Sequence, residues 1–214
     1  MTAIQKCAFL VNFFIILTPL AVFAGNQLDQ AKAAYTQKFP DRVLDPRDVS
    51  FGDLNGDGIP DFVAFYGDAS YNQRGIEDLG IVVFLGGKSG SFSFYKASST
   101  ISGNERVGHS VKIKNGSLFF SKDGSGGCCS HWAEDYQFKM RDGDLRLIGA
   151  TTMTFATDGT SDDYGSSRNL LTGAMVKWTR QGKLRTEVTS ITPKQPLVLF
   201  SAFDDDAYSE AMNL

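Results

Sequence analysis

After Pro40 the sequence settles into short β-rich runs punctuated by Gly, Asn, Asp and Ser, and this rhythm dictates a mainly β fold. The runs are Phe62–Tyr66, Gly80–Leu85, Ser91–Lys96, Ser110–Ile113, Ser117–Ser121, Asp135–Met140, Leu145–Ala150, Thr152–Ala156, Ala174–Trp178, Leu184–Thr189 and Leu197–Phe200. Three of the breaks carry a hairpin mechanism. Asn115-Gly116 and Asp142-Gly143 supply residues that tolerate positive φ, as a two-residue β-turn requires, and Gln181-Gly182 repeats the signal more weakly. Short strands joined this way predict antiparallel meanders, arranged as partial propeller blades or as layered sheets. They are too few for a full ring of four-stranded blades.

The first forty residues read differently. Residues 1–24 show one cation (Lys6), an apolar run from Ala8 to Leu17, Pro19, and a small-x-small ending at Val22 and Ala24, which is the layout of a secretory signal peptide cleaved after Ala24. A retained membrane anchor competes with this reading, but Asn12, Thr18 and Pro19 interrupt a run already near the minimum for spanning a bilayer. Asn26–Phe39 then predicts a helix, with Leu28, Ala31, Ala34, Tyr35 and Phe39 near one face and Pro40 ending it. Residues 25–214 are expected to form a single β-rich domain. The net charge of −3 and the lack of a basic stripe interleaved with aromatics argue against a nucleic-acid partner.

The densest charge lies in DLNGDGIPD, Asp53 to Asp61. Two carboxylates about 4 Å apart repel by roughly 4 kcal/mol at an effective dielectric of ~20, so a loop that gathers three calls for a cation. Asp53, Asn55 and Asp57 fall at positions 1, 3 and 5 of a calcium loop, Gly58 at 6, the Ile59 carbonyl at 7 and Asp61 at 9. Hard oxygen ligands at this spacing suit Ca²⁺. An EF-hand is excluded, because its bidentate glutamate at position 12 is replaced here by Ala64 within an apolar, strand-like run.

That loop, followed by DFVAFY and then by GIVVFLGGKSGSF, resembles the FG-GAP or VCBS repeat of integrin-α-type propellers over residues 49–96. The resemblance implies Ca²⁺ held by Asp53, Asn55, Asp57, Asp61 and the Ile59 carbonyl. Residues 97–214, a β-rich C-terminal half, resemble more loosely the tail of small exported bacterial proteins that carry a single such repeat. By that resemblance the protein is expected in the periplasm or outside the cell, with no membrane span once the leader is removed.

With Cys7 inside the leader, Cys128 and Cys129 are the only cysteines left. Consecutive Cα atoms lie about 3.8 Å apart, against roughly 4.4 to 6.8 Å across an ordinary disulfide, so a bond between them is strained. A vicinal disulfide, two thiols, or bridges to another chain are all open to the pair. The vicinal disulfide is the expectation, because Gly126 and Gly127 permit unusual backbone angles, and its role would be to stiffen a loop. His131, Glu134 and Asp135 follow closely and raise the alternative of an exported hydrolase with a site in Cys128–Asp135. Adjacent cysteines do not give the usual zinc spacing, and no nucleophile elbow, HExxH or phosphate loop is present. The leading expectation is therefore a non-enzymatic, calcium-stabilised binding protein. Its partner would be an envelope component, or a toxin or hydrolase that it neutralises as an inhibitor or immunity protein.

Overall fold

A computed structural model describes residues 20–67, 79–101, 107–159 and 161–204, with side chains from residue 26 onward. Most of the expected leader lies outside the described residues. The fold is mainly β: one helix, α1 (Leu20–Lys38), precedes two antiparallel sheets. The smaller sheet is a meander of β1 (Val49–Gly52), β2 (Asp61–Tyr66), β3 (Gly80–Gly86) and β4 (Phe92–Ala97), in that order across the sheet. The larger is a meander of β5 (Val107–Lys114), β6 (Ser117–Gly127), β7 (Ser130–Arg141), β8 (Asp144–Ala156), β9 (Asp163–Asn169), β10 (Ala174–Gln181) and β11 (Leu184–Ile191).

The smaller sheet is the middle layer of three, and side-chain alternation explains why. Along β2 and β3, Phe62, Ala64, Val82 and Phe84 face α1 and pack with Ala31, Tyr35 and Leu44. Their neighbours Val63, Ile81 and Val83 face the larger sheet and pack with Leu118, Phe120, Tyr136, Phe138, Leu145 and Leu147. A sheet covered on both faces reads as a near-continuous apolar run, which is how DFVAFY and GIVVFLG read. The rings of Phe62 and Phe84 stack at 4.5 Å. Phe200 and Phe203, at a single 3₁₀ turn, close the core edge-on to Phe138 at 5.3 and 5.0 Å. Each fully buried Phe is worth about 1.5–3 kcal/mol of transfer free energy.

Layered sheets, rather than propeller blades, are thus what the strands build. Among the described residues the helix already runs at Leu20, ahead of the expected Asn26, and it passes through Gly25, because a single glycine costs a helix only about 1 kcal/mol. The expected runs Leu145–Ala150 and Thr152–Ala156 are one continuous strand, β8, since Thr151 is as acceptable in a strand as its neighbours. Leu197–Phe200 is no strand; Leu199 makes a single bridge to Arg146 before the 3₁₀ turn. Two strands are unpredicted: β1, whose Val49 and Phe51 alternate over only four residues, and β9, whose DYGSSRN carries no apolar residue but Tyr164. The paired turns form as expected, with Asn115 and Asp142 at φ of 53° and 52°.

The larger sheet outruns the smaller one. The core-facing side of β6 to β8 is buried beneath β2 and β3, but all eight residues of β11 are exposed. Unfolding in urea should separate these regions. Phe62→Ala is expected to lower stability by about 3–5 kcal/mol, whereas Thr189→Ala on β11 is expected to change it by less than about 0.5 kcal/mol.

Candidate metal centre

The acidic loop joins β1 to β2, two strands paired from Val49↔Ala64 to Gly52↔Asp61. Folding eight residues between them requires sharp local turns, supplied by Gly56 and Gly58 at φ of 81° and 79°. Asn55 and Asp57 cap the same bends: Asn55 Oδ1 accepts from the Asp57 amide at 3.0 Å and Asp57 Oδ1 from the Ile59 amide at 2.8 Å. Asp53 accepts from two amides, Gly56 at 2.7 Å and Gly58 at 2.9 Å, one on each oxygen. The loop is therefore closed around its own backbone N–H groups.

Asp61 does something different. It is completely buried, and its two oxygens accept from the amide of Leu54 at 2.7 Å and of Gly86 at 2.9 Å. The first bond fixes the start of the loop, and the second ties the loop to the end of β3. That approach needs a glycine, since a Cβ at Gly86 would stand 2.2 Å from the Pro60 carbonyl oxygen. Burial pushes the Asp61 carboxyl above its ordinary 3.8; the two amide bonds oppose the shift, and the carboxylates of Asp57 and Asp53 add to it.

All five residues expected as ligands thus lie in one loop: Asp61 buried, Asp53 and Ile59 half-buried, Asn55 and Asp57 exposed. Among the described residues none of Asp53, Asp57 and Asp61 forms an ion pair with Lys or Arg, and each carboxylate oxygen keeps a lone pair beyond the N–H it accepts. In chemical type this donor set fits a hard divalent cation. In position it is not a finished cage: among the described residues no three Asp, Glu, His or Cys side chains stand together to hold an ion. The reason is local. Every carboxylate is turned onto an amide, and Asn55 presents its Nδ2 to Asp57 Oδ2 at 3.0 Å, the orientation opposite to the one an oxygen ligand needs.

The cysteine region assembles less. Cys128 and Cys129 occupy the turn between β6 and β7 as thiols, with their sulfurs 2.8 Å apart, so the expected vicinal disulfide is not formed in this structure. The Cys129 thiol is pushed up to about 11, first by its hydrogen bond with Cys128 and then by Asp158. A thiol held protonated at neutral pH is a poor nucleophile. His131 stacks on Phe155 at 5.4 Å, and among the described residues it makes no hydrogen bond to either cysteine. Glu134 turns to the core side of the sheet, where it pairs with Lys122 at 3.2 Å and accepts from the Tyr136 hydroxyl at 2.6 Å. Asp135 faces the opposite side and accepts from Ser121. Strand alternation therefore separates residues that are close in sequence.

Two concavities were not evident from sequence. One of about 240 Å³ lies on the core-side face of the larger sheet where that sheet outruns the smaller, lined by Trp132, Glu134, Thr152, Tyr164, Ser166 and Lys177. The other, about 470 Å³, adjoins the acidic loop and is bordered by Gln30, Ile59, Pro60, Lys88 and Phe92. The first depends on β9, whose polar sequence hides it. The holders of Asp61 are backbone amides and have no side-chain signal, although Gly86-Gly87 directly after an apolar strand marks a close backbone approach.

No protein-family model matches the chain, and no curated protein matches it. One solved structure, described as that of a Xanthomonas type IV secretion system related protein, resembles it with a TM-score of 0.33 and 17% identity, over 67% of this chain and 58% of that one.

Asp61 gives a pH test. Because its carboxyl lies above 3.8 in the fold, the stability linked to its protonation is present at low pH and is lost as pH rises through its raised value. In chelator the unfolding free energy of the native chain should fall over that range. Asp61→Asn should remove the fall and also destabilise by about 1–3 kcal/mol, since an amide oxygen satisfies only one of the two buried N–H groups.

Proposed function

We propose that the protein is a calcium-stabilised, non-enzymatic binding protein of the bacterial periplasm or exterior. The observation that carries this reading is the loop Asp53–Asp61. Three carboxylates with no cationic partner among the described residues sit in one loop, and the buried one fastens that loop to a second strand. Asp53, Asn55, Asp57, Asp61 and the Ile59 carbonyl would hold the ion. Its charge would relieve the repulsion that burial imposes on Asp61, so its binding energy would act as folding energy. The ion would act as a clamp, since all of its ligands come from one loop.

The binding role is supported by what the fold leaves uncovered. Trp132 and Tyr164 border an open concavity on the larger sheet, the kind of amphipathic aromatic surface that favours protein contact. The sequence resemblance to FG-GAP and VCBS repeats, and a leader of signal-peptide layout, favour an envelope component or a neutralised toxin or hydrolase as the partner. In an oxidising compartment the two thiols at the β6–β7 turn would close into the vicinal disulfide by exchange with an external disulfide, which takes up the two electrons and two protons and leaves as two thiols.

Thermal unfolding of the purified chain in millimolar Ca²⁺ and in chelator tests the clamp. The native chain should gain about 2.7 kcal/mol at a hundredfold excess over Kd. Asp57→Ala should lose the gain, and in chelator it should cost no more than about 0.5–1.5 kcal/mol, since its bond to the Ile59 amide is exposed. An equal gain in both proteins would remove the loop from the role. Capture from envelope extracts with and without chelator tests the binding: a specific partner retained only in Ca²⁺ supports it, and none in either condition counts against it.

A further inference from the structure

The larger sheet ends on a strand that is open in two senses. β11 pairs with β10 over its whole length, from Gln181↔Leu184 to Ala174↔Ile191, and with no other strand among the described residues. Both of its faces are exposed, including Leu184 at 66%, Val188 at 70% and Ile191 at 72%. A long edge with apolar side chains on both faces is a template for a further strand.

The turn before β11 tells which backbone groups point outward. Gln181-Gly182-Lys183-Leu184 is a two-residue hairpin with Gly182 at φ 57° and Lys183 outside the positive-φ region, as a type II′ turn requires. Gln181 and Leu184 are then a hydrogen-bonded pair, and so are Thr179 with Thr186 and Lys177 with Val188. The N–H and C=O groups of Arg185, Glu187, Thr189 and Ile191 consequently face away from β10, along the free edge.

The geometry points to a second copy of this chain as the occupant, joined through β11 to β11 about a two-fold axis at Thr186. In that antiparallel register Arg185 stands opposite Glu187 of the other copy and Glu187 opposite its Arg185, so both charge pairs are complementary. These are outward-facing residues, so the pair also exchanges backbone hydrogen bonds. On the other face Leu184 stands opposite Val188 and Val188 opposite Leu184, covering these two exposed apolar groups with each other, while Ile191 lies beyond the paired segment. Shifting the strand by two residues in either direction centres the axis on Arg185 or Glu187 and sets like charges opposite each other. The strand is self-complementary in one register, and the dimer would carry one sheet of fourteen strands across two copies. Within one copy Arg185 already reaches Glu187 at 2.7 Å, both half-exposed, so the charges exchange partners on pairing rather than losing them.

Sedimentation equilibrium of the purified chain over a concentration series decides the matter, and it is independent of the calcium reading because β11 lies outside the acidic loop. A concentration-dependent dimer is expected. Arg185→Glu and Glu187→Arg, each placing like charges opposite one another twice, should each raise its dissociation constant roughly tenfold or more. The double variant carrying both exchanges restores complementarity and should restore dimerisation. Glu187→Pro should abolish it while leaving the β10 ladder intact, as the missing N–H is the outward one. A monomer at every concentration overturns the proposal, and so does a dimer indifferent to the single charge reversals, which would be held by another surface.

Discussion

Two hydrogen bonds to one buried carboxylate decide how the acidic loop relates to the rest of the molecule. Asp61 begins β2, so its backbone is already committed to the ladder with Gly52; its side chain is then free to gather the Leu54 and Gly86 amides. A carboxylate is the only side chain that can accept both bonds at once without offering a donor to either. The cost is a charge placed in the interior beside two other acids, which is why its carboxyl is pushed upward. A loop built this way is closed by its own amides and still gathers three carboxylates, which is the imbalance that the proposed divalent cation would relieve.

The layers around this point follow from where apolar side chains fall. β2 and β3 are apolar at both alternating sets, so the sheet they centre must be covered twice, by α1 and by β6 to β8. The larger sheet is apolar on one face only, and only as far as that cover extends. Beyond it Thr, Ser and charged residues predominate, burial thins across β9 and β10, and β11 is exposed along its whole length. The same sheet is therefore a core wall at one end and an open surface at the other.

Much of this was legible in the sequence. The β class, the meanders, the turns at Asn115 and Asp142, the packed face of α1 and the grouping of the acidic loop all follow from period, turn chemistry and spacing. What stayed hidden has physical causes. β9 is polar because neither of its faces is deep in the core, so no hydrophobic signal marks it. Leu197 to Phe200 is apolar because Phe200 and Phe203 plug the core from a turn, and burial there needs no strand. Cys128 to Asp135 looks like a cluster in the sequence and is dispersed by a turn and by strand alternation. The Asp61 latch engages backbone amides from distant segments, which no side-chain motif records.

Native-state hydrogen exchange at the Leu54 and Gly86 amides tests the latch most directly. If Asp61 holds both from within the core, they should exchange far more slowly than the exposed amides of Gly56 and Gly58, and both should slow further together when Ca²⁺ is added. Exchange of Leu54 and Gly86 at the rate of the exposed loop amides, with no change on adding Ca²⁺, would contradict both the latch and the clamp built on it.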